Sequence, residues 1–280
     1  MIPNYHTHTT FCDGKNTPEE IVLFAIENGL PSIGLSGHGF TPFDRRYCMK
    51  NTKGYIEEVS RVKEKYKDKI EVYLGVEEDA FSYVNRSDFD YIIGSCHYFR
   101  VNYGYSPIDS NYEYFKKGLE AFDNDVLKLA ESYYSYFVRY ILTRKPDIVG
   151  HFDVITKFDE IDEMRFLNNS EYLKIAEKYL KKALDADVIF EINTGAMARG
   201  HRKTPYLGEN LLHIIKKNDG KVILSSDSHS LDTMNFGFDE MTKILCDVGF
   251  DGVYEMHKGE FKKRFYRSGN FKFFNIGNNK

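Results

Sequence analysis

Residues 2–14 read IPNYHTHTTFCDG, and the reading of this stretch decides the fold. An apolar run at 2–5 has the make-up of a short strand, and it leads directly into His6 and His8. Side chains two apart in extended backbone share a face, so the two imidazoles can grip one ion. Asp13 follows in the same segment. An H-x-H pair alone is weak evidence, but the far end of the chain repeats the device. There ILSSDSHS (223–230) places Asp227 and His229 at the same alternate spacing behind another apolar run.

Four more segments of this kind lie between those ends: GLSGHGF with His38, YLGVEED with Glu77, IIGSCHYF with His97 and IVGHFDV with His151. Glycines precede or flank each of these residues, as tight turns beneath a crowded centre require. Imidazole nitrogen and carboxylate oxygen, with no thiolate cluster, are the donor set of a hydrolytic divalent-metal site and not of a structural zinc. The nine candidates are therefore His6, His8, Asp13, His38, Glu77, His97, His151, Asp227 and His229. His213 and His257 fall outside any motif and read as ordinary core or surface residues.

Seven apolar runs, at 2–5, 33–36, 70–76, 91–94, 148–150, 188–192 and 222–225, read as strands, and helical patterns follow them. The first helix has the capping box Thr17 and Glu20, Pro18 for its first turn and Gly29 for its exit. Further helices are expected at 53–66, 111–143 (one helix or two), 171–185, 209–217 and 239–247. Because every candidate ligand sits at or just past the carboxyl end of a strand, closure into a barrel is the economical way to bring them together. An open doubly wound sheet would gather ligands at one switch point instead.

The chain has 280 residues, 42% of them apolar, and a net charge of −4, which suits a single α/β domain over 1–280. No basic stripe suggests a nucleic-acid footprint, and no run approaches the roughly 20 apolar residues of a membrane span. With the first motif at residue 6, a signal peptide has no room, and a cytoplasmic enzyme is expected. The scattered Cys12, Cys48, Cys96 and Cys246 read as reduced thiols, with Cys12 and Cys96 as small buried fillers. The tyrosine-rich segment at 98–146 reads either as a helix pair on the barrel wall or as a helical cap inserted over the pocket. Neither a G-x-S-x-G elbow nor a phosphate-binding G-x-x-x-x-G-K-[ST] loop is present.

The ordered segments HTHTTFCDG, SGHGF, GVEED, GSCHYF, GHFDVITKF, EINTGAMARG and SSDSHS closely resemble the PHP (polymerase and histidinol phosphatase) superfamily. The histidinol-phosphate phosphatase branch is nearest, over roughly residues 4–230. The resemblance implies a distorted (β/α)7 barrel with its active site at the carboxyl ends of the strands. It also implies three divalent metal ions, Zn, Mn or Fe. His6, His8, Glu77 and Asp227 would hold the first ion, with Glu77 bridging to a second that His97 and His151 complete. Asp13, His38 and His229 would hold the third.

Hydrolysis of L-histidinol phosphate in histidine biosynthesis is the implied reaction, by attack of a bridging hydroxide held between ions that Glu77 and Asp227 ligate. Three divalent ions set against three carboxylates and one hydroxide leave two positive charges, which match a phosphate dianion. The partner is thus a small-molecule phosphate ester. Arg199 is the first choice for a phosphate contact, with Arg202 and Lys203 as rivals and a solvated basic loop as the plain alternative. Glu78, Asp79 and the tyrosines near Tyr103 are candidates for the cationic far end of the substrate. Asp153 either orients His151 or caps a turn, and Asn193 is either a pocket contact or a turn residue. The alternatives are a PHP phosphoesterase for another small ester and a polymerase-associated module, which would bind DNA in a salt-sensitive way.

Overall fold

Side-chain alternation along the strands determines what fills the barrel and what crowns it. The computed structural model describes residues 1–102, 104–161 and 165–266, so Tyr103 lies outside the described residues. In chain order the elements are α1 (Pro18–Glu27), β1 (Ser32–Leu35), α2 (Thr52–Tyr66), β2 (Glu71–Asp79), β3 (Tyr91–Ser95), β4 (Tyr98–Val101) and β5 (Gly104–Pro107). Then follow α3 (Tyr112–Leu119), α4 (Val126–Arg144), β6 (Ile148–Val149), α5 (Ser170–Leu184), β7 (Ile189–Asn193) and α6 (Gly195–Ala198). The chain continues through α7 (Glu209–Lys217), β8 (Lys221–Ser225), α8 (Phe238–Val248), β9 (Gly252–His257) and β10 (Glu260–Phe265).

Six strands form one parallel sheet in the order β1-β2-β3-β6-β7-β8. The segment at 4–8 lies between its two edges, with Asn4 bridged in parallel to Ile33 and Thr7 to Ser228. The Gly34 amide donates to the Asn4 carbonyl at 2.9 Å and the His8 amide to the Ser228 carbonyl at 2.8 Å. This segment is the seventh stave of a distorted barrel, reduced to single bridges.

On β2, Tyr73, Gly75 and Glu77 share the inward face, and on β7 Ile189, Glu191 and Asn193 do so. The lower layer is apolar: Tyr5, Tyr73, Tyr91, Ile148, Ile189 and Ile223 pack together. The Tyr91 ring crosses this layer and donates from its hydroxyl to the Tyr5 carbonyl at 2.5 Å. A Cβ at position 75 would fall 2.2 Å from Tyr91 Cζ, so only glycine fits there.

The antiparallel β9–β10 hairpin plugs this lower end, with Met256 and Phe261 against the tyrosines. It has no counterpart among the elements expected from sequence. Its turn is Lys258-Gly259, both at positive φ (52° and 80°), and Lys-Gly is a weak hairpin signal beside Asn-Gly or Asp-Gly.

Outside the barrel, α1 and α2 cover β1 and β2 through Ile21, Val22, Val59 and Val62. The capping box of Thr17 and Glu20 is present, with the Thr17 amide donating to Glu20 at 2.8 Å. The expected helical stretch 111–143 is two helices, because Asp123 and Asn124 adopt φ of 58° and 59° and Asp125 then caps α4. α4 and α5 pack on the opposite wall through Tyr133, Tyr134, Phe137 and Ala176. The stretch before α3 holds the β4–β5 hairpin, which carries Tyr98 and Pro107 to the mouth of the barrel. Segment 98–146 therefore supplies the wall helix α4 and, through β4 and β5, a rim. No helix among the described residues is long and apolar enough to cross a membrane.

Candidate metal centre

All nine expected ligands meet at the carboxyl end of the barrel. Glu77 is at the middle and almost wholly buried. Its Oε2 lies 2.8 Å from His38 Nδ1 and 3.3 Å from His6 Nε2, while its Oε1 lies 3.0 Å from His151 Nε2 and 3.2 Å from His97 Nε2. Asp227 Oδ1 stands 3.0 Å from His8 Nε2 and 3.7 Å from both His6 Nε2 and His229 Nδ1. Asp13 closes the outer side, 3.3 Å from His229 Nε2 and 3.7 Å from His38 Nε2.

Three overlapping groups have ligand atoms within 4.8 Å of one another: His8, Asp13, His38 and His229; His6, His8 and Glu77; and His38, Glu77 and His97. His8 thus stands in the outer group as well as the inner one. His6 Nε2, His8 Nε2 and Glu77 Oε2 are buried without an aligned hydrogen-bond partner. Orphaned lone pairs that converge in a buried nest are what a cation satisfies, so this donor set fits divalent metal ions.

The local sequence explains the placement. The glycine before His151 is obligatory, because a Cβ at Gly150 would sit 2.4 Å from Ser95 Oγ. Asp227 adopts φ 47°, a left-handed conformation that Asp tolerates better than most residues. Its backbone carbonyl accepts from Arg199 at 2.9 Å, and His229 Nδ1 lies 3.0 Å away.

Behind the ligands sits Glu191, a residue to which sequence reasoning gave no role. Its Oε1 is 2.6 Å from His6 Nδ1, which leaves Nε2 of that ring facing the centre, and its Oε2 accepts from the His151 amide at 2.8 Å. Asn193 donates to Glu191 at 2.9 Å and accepts from the Gly195 amide at 2.8 Å, so it is a turn residue that also braces Glu191. A lone carboxylate inside the apolar strand VIFEIN was the available signal. Partners of this kind typically contribute 10- to 100-fold in metal affinity or activity. Glu191→Gln is therefore expected to weaken metal binding about 10- to 100-fold with the fold intact, as read by chelator competition and circular dichroism. Unchanged metal affinity would remove Glu191 from this role.

Electrostatics follow from the crowding. Burial alone would raise the Glu77 pKa, but His38, His6 and His97 hold it well below the ordinary carboxylate range. Burial likewise opposes protonation of His6, yet Glu191, Glu77 and Asp227 outweigh it and push that imidazole well above its usual value. Cations would replace such protons, so metal affinity rises with pH. Burial pushes the Cys12 thiol up to about 12, with Asp13 adding to the effect, so it stays protonated beside His8 as a filler. All four cysteines are unpaired.

A cavity of about 350 Å³ opens onto the centre. Arg199 lines it and donates to Asp227 Oδ2 at 3.0 Å. The other two basic candidates are not brought there. Arg202 is 4% exposed, bonded to Thr156 and Thr204 and stacked on Tyr206, and Lys203 is exposed, with its amide bound to Glu160. The other cations of the cavity are Lys157, from GHFDVITKF, and Arg46, which is tied to Asp44.

Glu78 and Asp79 are also corrected as contacts for the substrate's far end. Glu78 points outward to Arg144 and Tyr140, at 2.8 and 2.7 Å. Asp79 is buried beneath His97, accepting from its amide at 2.8 Å and lying 3.2 Å from its Nδ1. Asp153 accepts from the Gly208 amide at 3.1 Å and makes no hydrogen bond to the His151 ring, which favours the local structural reading.

A parallel barrel crowned by a histidine and carboxylate nest is the framework of a metal-dependent hydrolase. The chain belongs to the PHP domain family, whose model matches residues 4–195. It is 27% identical over 279 residues to a Schizosaccharomyces pombe protein named probable histidinol-phosphatase, covering 91% of this chain and 89% of that one. To the histidinol-phosphatase of Lactococcus lactis it is 26% identical over 238 residues, covering 81% of this chain and 83% of that one. The crystal structure of a Lactococcus lactis histidinol phosphate phosphatase, complexed with zinc, L-histidinol and phosphate, superposes with a TM-score of 0.69 at 20% identity. That match covers 94% of this chain and 99% of the other, and it supports the fold.

Proposed function

We propose that this chain is a histidinol-phosphatase that hydrolyses L-histidinol phosphate to L-histidinol and inorganic phosphate at a centre of three divalent ions, Zn, Mn or Fe. The observation that carries the proposal is the convergence of six imidazoles and three carboxylates at the mouth of one cavity, with Arg199 and Lys157 in its wall. The names of the curated relatives supply the ester.

His6, His8, Glu77 and Asp227 would hold one ion, Glu77, His97 and His151 a second, and Asp13, His38 and His229 a third, with His8 close enough to serve the third as well. When bound, such ions lower the pKa of water from about 15.7 toward ~7 and neutralise phosphoryl oxygens. The protein's own part is orientation and charge. Glu191 fixes the His6 ring and Asp79 the His97 ring, so that each presents Nε2 to Glu77. Arg199 spans Asp227 and the cavity, where its guanidinium can take phosphate oxygens, and Lys157 adds positive charge to the same cavity.

Steady-state assays on L-histidinol phosphate, 4-nitrophenyl phosphate and a phosphodiester test the reading. The expected result is a kcat/KM for histidinol phosphate about 100-fold or more above the aryl ester, because polar contacts to a leaving group discriminate on that scale. A rate no better than that of the aryl ester would sink the histidinol assignment.

A further inference from the structure

We infer that Asp109 is the residue that selects esters whose leaving alcohol carries a protonated nitrogen, pairing with that cation in the cavity that opens onto the metal ligands. The inference rests on the phosphatase reading above. Four aspartates line the cavity, and three are committed elsewhere. Asp13 and Asp227 belong to the ligand nest. Asp44 is held by Arg46, at 2.8 and 2.5 Å, and by the Tyr98 hydroxyl at 2.9 Å. The Asp109 carboxylate, by contrast, receives no hydrogen bond among the described residues.

Its nearest cation is Lys157, whose ammonium donates to the Asp109 backbone carbonyl at 2.6 Å and stands 4.0 Å from the carboxylate. The carboxylate lines the cavity with its side chain 27% exposed, so a cation of the ligand can pair with it there. Burial disfavours its charge, but Lys157, His97 and His151 keep it ionised.

The polarity of the walls specifies the ligand. Lys157 and Arg199 present positive charge for the phosphate, Arg46 is tied to Asp44, and Asp109 presents negative charge in the same cavity. An ester with a phosphate dianion at one end and a protonated nitrogen at the other has complementary charges, whereas a neutral ester leaves Asp109 with Lys157 alone, at 4.0 Å. The Tyr47 and Tyr98 rings, 6.3 Å apart and tilted by 31°, also line the cavity, and aromatic rings there suit a cationic ligand.

The test is Asp109→Asn, which keeps the shape, assayed on L-histidinol phosphate and on 4-nitrophenyl phosphate. Inhibition of the aryl ester reaction by free L-histidinol is measured alongside. The ratio of kcat/KM for the cationic ester to that for the neutral one should fall by about 10- to 100-fold, and L-histidinol should inhibit more weakly by a similar factor. An unchanged ratio overturns the inference, whether both rates fall together, as a role confined to holding Lys157 would require, or neither falls. A wild-type enzyme with no preference for the cationic ester undoes the functional reading itself. A wild-type preference that survives in Asp109→Asn removes only the role of Asp109.

Discussion

Glu77→Gln should lower kcat/KM by about 10³-fold or more, because one buried carboxylate faces four imidazoles and joins two of the three ligand groups. The substitution keeps the volume and removes the charge. The four rings, within 3.3 Å of its oxygens, then lack the anion that offsets metal charge. Metal content and turnover should fall together, with the fold retained by the apolar layer below. A variant that kept its metal and lost only rate would show that Glu77 acts on the substrate and not as a shared ligand.

The second large effect concerns Arg199. Arg199→Ala should reduce kcat/KM by about 10²-fold, corresponding to roughly 3 kcal/mol of lost transition-state stabilisation. Its guanidinium reaches Asp227 Oδ2 at 3.0 Å and the Asp227 carbonyl at 2.9 Å, and it faces the cavity. A role on phosphate predicts weaker inhibition by inorganic phosphate with metal content nearly unchanged. Arg199→Lys should recover only part of the rate, since an ammonium cannot reproduce the planar fork. Wild-type phosphate inhibition in Arg199→Ala would place the phosphate elsewhere, with Lys157 and Arg46 the remaining cations of the cavity.

The convergence of the nine side chains was legible because each follows an apolar strand, and strand parity fixes which face a side chain takes. His6 with His8, and Asp227 with His229, announce themselves by alternate spacing. The seven staves were legible for the same reason, even though the first is held by bridges at Asn4 and Thr7 alone. The supports were harder to read. Asp79 stands two residues after Glu77 on β2, and only the parallel register with β3, which pairs Asp79 with Ser95, brings it beneath His97.

In the basic loop the first choice, Arg199, lies in the cavity, and its rivals do not. Arg199, Arg202 and Lys203 are indistinguishable by charge, and the turn after α6 sends Arg202 down between Thr156 and Tyr206 while Arg199 turns toward Asp227. Lys157 and Asp109 come from separate segments that meet only in space, through the ammonium of one and the carbonyl of the other. No periodicity in the chain connects them.

The central claim is that the nine converging side chains hold the ions on which turnover depends. It is tested most directly by metal content per chain, measured by elemental analysis beside turnover, for the wild-type protein and Glu77→Gln. The account predicts about three divalent ions per wild-type chain, falling in step with activity in the variant and on chelation. Full turnover from wild-type protein holding less than one ion per chain would contradict it.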